Sequence, residues 1–168
     1  QAEATLQSLE AAREANKLTR EVSIASERPW LNIDVSPLKS PLEGQDWIIR
    51  ASLFNAGRSP ALGVKVRISF SLQDLPFSIP DLGPCIEPCQ TSAIFPGPTS
   101  WGYSPKIPAA SMTPEEIEKI RSGKRTAVLQ ARIDYADNYG APRFTHKCYW
   151  YDQAVGSLTT CRGGNSAN

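Results

Sequence analysis

Two strongly alternating segments, Asp46 to Phe54 and Leu62 to Phe70, flank the turn Asn55-Ala56-Gly57-Arg58-Ser59-Pro60-Ala61. A strand, a tight polar corner and a second strand predict an antiparallel β-sandwich or barrel. Trp47, Ile49, Ala51 and Leu53 share one face of the first of these strands. In the next, Leu62, Val64, Val66, Ile68 and Phe70 share a face, and Gly63, Lys65, Arg67 and Ser69 take the other. That division predicts a sheet with one face on the core and one in water. It constrains the fold and is silent about chemistry.

The rest of the chain fits the same class. Residues 1–27 hold no Pro or Gly and are rich in strong helix formers, so they predict a helix. Ala4, Ser8, Ala11, Ala15, Leu18, Val22 and Ala25 recur at heptad spacing. This Ala-rich seam buries little area. It fits a solvated connector, or a stalk with weak self-association. Arg28-Pro29 stops the helix, because proline disfavours helical backbone in the residue before it. Strands are predicted at Trp30–Val35, Ser92–Phe95, Ser100–Ile107, Lys124–Asp137 and Phe144–Tyr151. The last two form a hairpin around Asn138-Tyr139-Gly140. Thr113-Pro114-Glu115-Glu116 opens a short helix over about 113–122 with Glu116 completing a capping box, and Gly123 ends it.

About seven strands result, the immunoglobulin-like sandwich pattern in outline, with a small barrel as the alternative. The expected fold is mainly β: an immunoglobulin-like antiparallel β-sandwich behind an N-terminal α-helix, with one short helix inserted near 113–122. The expected organisation is a helical stalk at 1–28 and a sandwich domain at 29–168 with a Cys-containing tail. Trp30 or Trp47, with Leu53, Val66, Ile68, Leu129, Ile133 and Tyr149, is the expected core. The 14 prolines among 168 residues, with 40% hydrophobic content, suit short strands and long loops.

Charge and motifs exclude several functions. A net charge of +1 gives no basic excess for nucleic acid. No Gly-rich phosphate loop opens a helix, and no run of about 18 apolar residues spans a bilayer. The chain opens on Gln1 with no signal-peptide pattern. That predicts a processed chain whose natural start, and any membrane anchor upstream, lies outside this sequence.

Cys85, Cys89, Cys148 and Cys161 are an even set with two close spacings, which suits disulfides in an oxidising compartment. Three connectivities are open, and four reduced thiols are the rival reading. Cys148 and Cys161 would staple the tail to the last strand. A zinc site is disfavoured, because only one Cys pair has ligand spacing. The single histidine, His146, reads as a partly exposed strand residue; a nucleophilic pair with Cys148 lacks an activating acid. Asp134, Asp137 and Asp152 bracket the last hairpin, and Asp137 reads as turn chemistry. No catalytic, cofactor or metal residue is assigned. Trp101, Tyr103 and Trp150 are the candidate contact surface, unless the 71–91 loop, the tail or the N-terminal helix covers them.

Arg28-Pro29-Trp30 after an Ala/Glu/Arg-rich helix resembles a group of uncharacterised bacterial membrane-anchored proteins. Asn55-x-Gly57-x-x-Pro60-Ala61 with Val64, Tyr135-x-Asp137 and Thr145-x-x-Cys148 carry the same resemblance. The Asn-x-Gly-x-x-Pro-Ala corner also resembles adhesion-type sandwich modules related to the fibronectin and immunoglobulin families. The resemblance covers about 28–151. It implies a single membrane span, a short helical stalk and a sandwich on the periplasmic or extracellular side. It implies no activity. Three functions follow as expectations: a non-enzymatic module recognising an unknown protein partner through loops or a sheet edge, a carbohydrate-binding module for cell-wall glycan, and, last, a hydrolase. The glycan module needs coplanar exposed rings, and the hydrolase needs a cleft joining His146 to an acid.

Overall fold

The computed structural model describes residues 2–36, 46–85, 91–103, 106–108, 110 and 112–168. The side chains of 2–5, 25, 91, 98–103 and 107 fall outside that description. The expected loop at 37–44 and Cys89 also lie outside the described residues.

Helix α1 runs Ala2–Glu27 and stops where Arg28-Pro29 requires. Leu6, Leu9, Leu18 and Val22 on it are all exposed. Beyond it the strands are β1 (Leu31–Val35), β2 (Trp47–Ile48), β3 (Ala51–Asn55), β4 (Ala61–Asp74), β5 (Thr91–Ile94), β6 (Gly97–Tyr103) and β7 (Lys106–Ile107). Helix α2 (Pro114–Arg121) precedes β8 (Arg125–Ala136), β9 (Pro142–Asp152), β10 (Ser157–Thr160) and β11 (Ser166–Ala167). One sheet has the order β1-β3-β6. The larger has the order β10-β9-β8-β4-β5, with β11 also on β9, and β2 pairs only with β7. All strand pairings among the described residues are antiparallel.

The two main sheets share a core. Leu31, Ile33, Ala51 and Leu53 meet Ala61, Val64, Ile94, Ala131, Ile133 and Tyr135. A second cluster seats Ile117 and Ile120 of α2, with Met112, against Trp47, Ile49 and Leu129. Trp47 fills the core as expected, whereas Trp30 is 40% exposed, with the Arg28 guanidinium 3.6 Å above its ring.

The corner is a crossover between sheets. β3 and β4 do not pair with each other; the 56–60 segment carries the chain from the smaller sheet to the larger. Asn55, 2% exposed, organises it. Its carboxamide oxygen accepts from the Gly57 and Trp30 N–H groups at 2.9 and 3.1 Å. Its nitrogen donates to the Ser59 and Ile94 carbonyls at 2.8 and 3.1 Å. A buried amide with all four of these bonds made ties α1's exit, the corner and β5 into one knot.

Further expectations are corrected. Leu62 is 42% exposed, not inward. One extra residue between Leu62 and Lys65 bulges β4 against both β8 and β5, with Gly63 at φ +58°. The bulge inverts the alternation, so Ala61 rather than Leu62 joins Val64 inside. The outer face of the larger sheet is not simply wet. The 75–85 segment straps across it, held by Gln130 donating to the Pro80 carbonyl at 2.7 Å and by Arg67 donating to the Leu82 carbonyl. The Cys-containing tail also forms β10 and β11, both paired with β9. The capping box at α2 is half made. Thr113 accepts from the Glu116 N–H at 3.3 Å, but the Glu116 carboxylate turns to Arg125 at 2.6 Å.

Candidate functional site

β8 and β9 place Arg132 opposite His146, and β11 places Ser166 opposite His146 on the other side. All three lie on the outer face of the large sheet. Asp81 reaches the same place from the strap. These residues line a pocket of about 290 Å³, whose walls are completed by Ile79, Pro80, Phe144 and Gly164. Gly164 is required there: a Cβ on it would lie 2.6 Å from an Ile79 methyl. The tail itself is tied down. Asn165 accepts from the Cys148 N–H at 3.0 Å and donates to the Cys161 carbonyl at 2.8 Å, while Asn168 accepts from the Phe144 N–H at 2.8 Å.

His146 is 7% exposed, a correction to the partly exposed strand residue expected from alternation. The strap and tail bury the face that alternation assigned to water. Its Nε2 is buried with no hydrogen-bond partner among the described residues. An unmet buried polar atom costs about 1–3 kcal/mol, so its retention is unusual. Burial pushes its pKa below 6.5, with Asp81 opposing and Arg132 reinforcing the shift. The Arg132 guanidinium sits 4.9 Å from the Phe144 ring and is held by Asp134 at 3.0 Å and Asp81 at 3.7 Å.

The pocket does join His146 to an acid. No hydrogen bond connects Ser166, His146 and Asp81, however, and the Asp81 carboxylate instead accepts from the Gly83 N–H at 3.1 Å. Asp137 is fully buried as the turn residue expected: one carboxylate oxygen accepts from the Tyr139 and Ala141 N–H groups at 3.0 and 2.9 Å, and the other takes the Arg143 fork at 3.0 and 3.1 Å. Burial alone would push its carboxyl up, but these donors hold it below 3.8. Asp134 is spent on Arg132, and Asp152 accepts from the Ala154 N–H at 2.9 Å.

Cys148 and Cys161 are joined as a disulfide, with α-carbons 5.3 Å apart. That removes both from thiol chemistry and from any zinc site. Cys85 is also disulfide-bonded. Such bonds indicate an oxidising, extracytoplasmic environment. Among the described residues no group of three or more His, Cys, Asp or Glu could hold a metal ion, and no helix is long and apolar enough to cross a membrane.

Of the candidate contact residues, Trp150 is half-buried, its ring 5.9 Å from Phe77 of the strap. Trp101 stands opposite Leu53 and Tyr103 opposite Ala51 on β6; their side chains are outside the description. Part of the β1 edge is already occupied. The Thr145 and Tyr149 hydroxyls donate to the Leu31 and Ile33 carbonyls at 2.9 and 2.7 Å, and Asn32 accepts from the Ile33 N–H at 2.9 Å. Sequence reasoning missed the pocket. Asp81, Arg132 and Ser166 are far apart along the chain, and the one available signal was a lone histidine on a strand face.

No known family matches the chain. No curated protein matches it either. Among solved structures, the crystal structure of an ApaA protein from Bordetella pertussis superimposes with a TM-score of 0.40 and 14% identity, covering 69% of this chain and 86% of that one. A likeness at that level identifies neither fold nor function.

Proposed function

We propose that this chain is a non-enzymatic recognition module of a membrane-anchored envelope protein. It is an immunoglobulin-like sandwich displayed on the periplasmic or extracellular side of a bacterial membrane, and it acts by binding a protein partner. The observation that carries this reading is the gathering of exposed apolar side chains at the corner end of the sandwich. Trp30, Leu62, Phe95 and Tyr139 are all exposed. Trp30 and the β5 terminus meet at Asn55, Leu62 stands opposite Ala136, and Tyr139 occupies the β8–β9 turn. Loops at one end of a rigid sandwich are a common recognition surface. The disulfide supports the compartment.

The test is a photo-crosslinking residue at position 95 in cells carrying the membrane-anchored protein. A discrete adduct there, absent from the same probe at Glu118 on exposed α2 surface, is expected. Equal labelling at both positions, or none at position 95, would overturn the reading.

A further inference from the structure

We propose that the tail beyond Cys161 is an acid-released latch: at neutral pH it fills the β9 edge beside His146, and it leaves that edge when His146 takes a proton. Three observations carry this together. The first is the sealed imidazole. His146 is 7% exposed, and its Nε2 is buried with no hydrogen-bond partner among the described residues. A neutral imidazole keeps one nitrogen as a bare acceptor, whereas an imidazolium donates from both. A buried charge without an acceptor costs far more than a buried lone pair. The closed arrangement therefore suits the neutral ring.

The second is what faces the ring. From β8 comes Arg132, directly opposite, held by Asp134 at 3.0 Å. From the strap comes Asp81, whose carboxylate lies 3.7 Å from Arg132 and accepts from the Gly83 N–H at 3.1 Å. β11 brings Ser166 and no charge. Burial is the largest influence and holds protonation below the ordinary 6.5; Asp81 opposes it and Arg132 adds to it. Open to water, the ring titrates near its ordinary value. Closure is thus fully favoured above about pH 6.5 and weakens as pH falls through the range below it.

The third is which part of the cover can leave. Residues 162–168 are all exposed, and β11 is only two residues long. Asn165 accepts from the Cys148 N–H, and Asn168 accepts from the Phe144 N–H and donates its own N–H to the Phe144 carbonyl at 3.2 Å. The strap is fixed at both ends, by the Leu75 N–H on the Lys124 carbonyl at 3.0 Å and by the disulfide at Cys85. Segments with little buried surface open first. Ser166 stands opposite His146, so departure of β11 gives the ring to water. It also leaves the Phe144 and Cys148 N–H groups unpaired, turning a filled sheet edge into an open one.

We would follow amide hydrogen exchange in the whole chain from pH 7 to 5, with each rate corrected for its intrinsic pH dependence. Phe144, Cys148 and Asn168 are expected to be less protected than the β8 amides, and their protection should fall with pH. His146→Gln should abolish that fall. Protection equal to that of β8, which would mean opening only with the whole fold, or protection flat with pH, overturns the proposal. A second variant guards against a merely weakened fold. Asn165→Ala with Asn168→Ala loosens the tail and leaves the ring in place. Coupling is reciprocal, so this pair should move the titration of the chain's single histidine, read by ¹⁵N NMR, up toward 6.5. An unchanged His146 titration also overturns the proposal. The tail shares no residue with the corner surface, so these results and crosslinking at position 95 are independent.

Discussion

A Cβ placed on Gly57 would lie 2.5 Å from the Trp30 backbone nitrogen and closer still to the Arg28 carbonyl oxygen. The glycine in the Asn-x-Gly corner is there for close approach: the backbone leaving α1 runs directly over it. Gly57→Ala should therefore lower stability by about 1–3 kcal/mol, read as a shift of the urea midpoint with unchanged slope. A midpoint equal to the parent's would mean that the Arg28–Trp30 segment does not rest on the corner.

Asn55 offers a sharper test of the same knot. Asn55→Asp keeps shape but replaces two donors with an acceptor facing the Ser59 and Ile94 carbonyls. The expected loss is about 2–4 kcal/mol at neutral pH, because two buried carbonyls lose their partner beside a new charge. Partial recovery on acidification, as the carboxyl protonates, would identify the charge as the cause.

Asp137 links the β8–β9 turn to acid stability. Its folded carboxyl sits below 3.8, so it binds a proton less readily in the fold than in the unfolded chain. The stability it contributes is present above pH 3.8 and is lost as pH falls through the folded value. Asp137→Asn should be less stable than the parent at pH 6 and should show a shallower decline between pH 4 and 2. Parallel curves for the two proteins would contradict this role.

His146 gives a second pH window. Its folded pKa is depressed below 6.5 by burial, so the unfolded chain takes up a proton that the fold resists. Stability is then full above about pH 6.5 and falls as pH drops through the range below it. Asp81 opposes and Arg132 reinforces the shift, so the window belongs to the pocket as a whole. Thermal melting of the parent should decline from pH 7 to 5, and His146→Gln should flatten that decline.

The Cys148–Cys161 bridge closes a loop of sequence separation 13. Replacing both with Ser should reduce stability by about 3 kcal/mol, chiefly by freeing the unfolded chain. It should also speed hydrogen exchange at the Cys148 and Phe144 amides, which depend on Asn165 and Asn168 of the tail. An unchanged melt would remove the bridge from the stability account.

Much of the architecture was legible in local pattern. α1 and its stop, the β8–β9 hairpin, the Thr113 cap and the inward rows Trp47-Ile49-Ala51-Leu53 and Ala127 to Tyr135 follow from periodicity and backbone sterics, which neighbours in sequence decide. The site was not legible in the same way. Whether the Asn55 corner makes a hairpin or a crossover depends on which sheet each strand joins. A single inserted residue between Leu62 and Lys65 reverses which side chains face the core. The face of β8 and β9 that alternation gave to solvent is buried by a strap and a tail whose own sequences carry no period. His146 therefore became a buried group beside Asp81 and Ser166 through long-range packing alone. Periodicity in the chain determined the strands and their inward rows. Which outward row is covered, and what gathers beneath the cover, was decided by tertiary contacts between segments distant in sequence, because burial depends on what packs above a residue as well as on its place in the alternation.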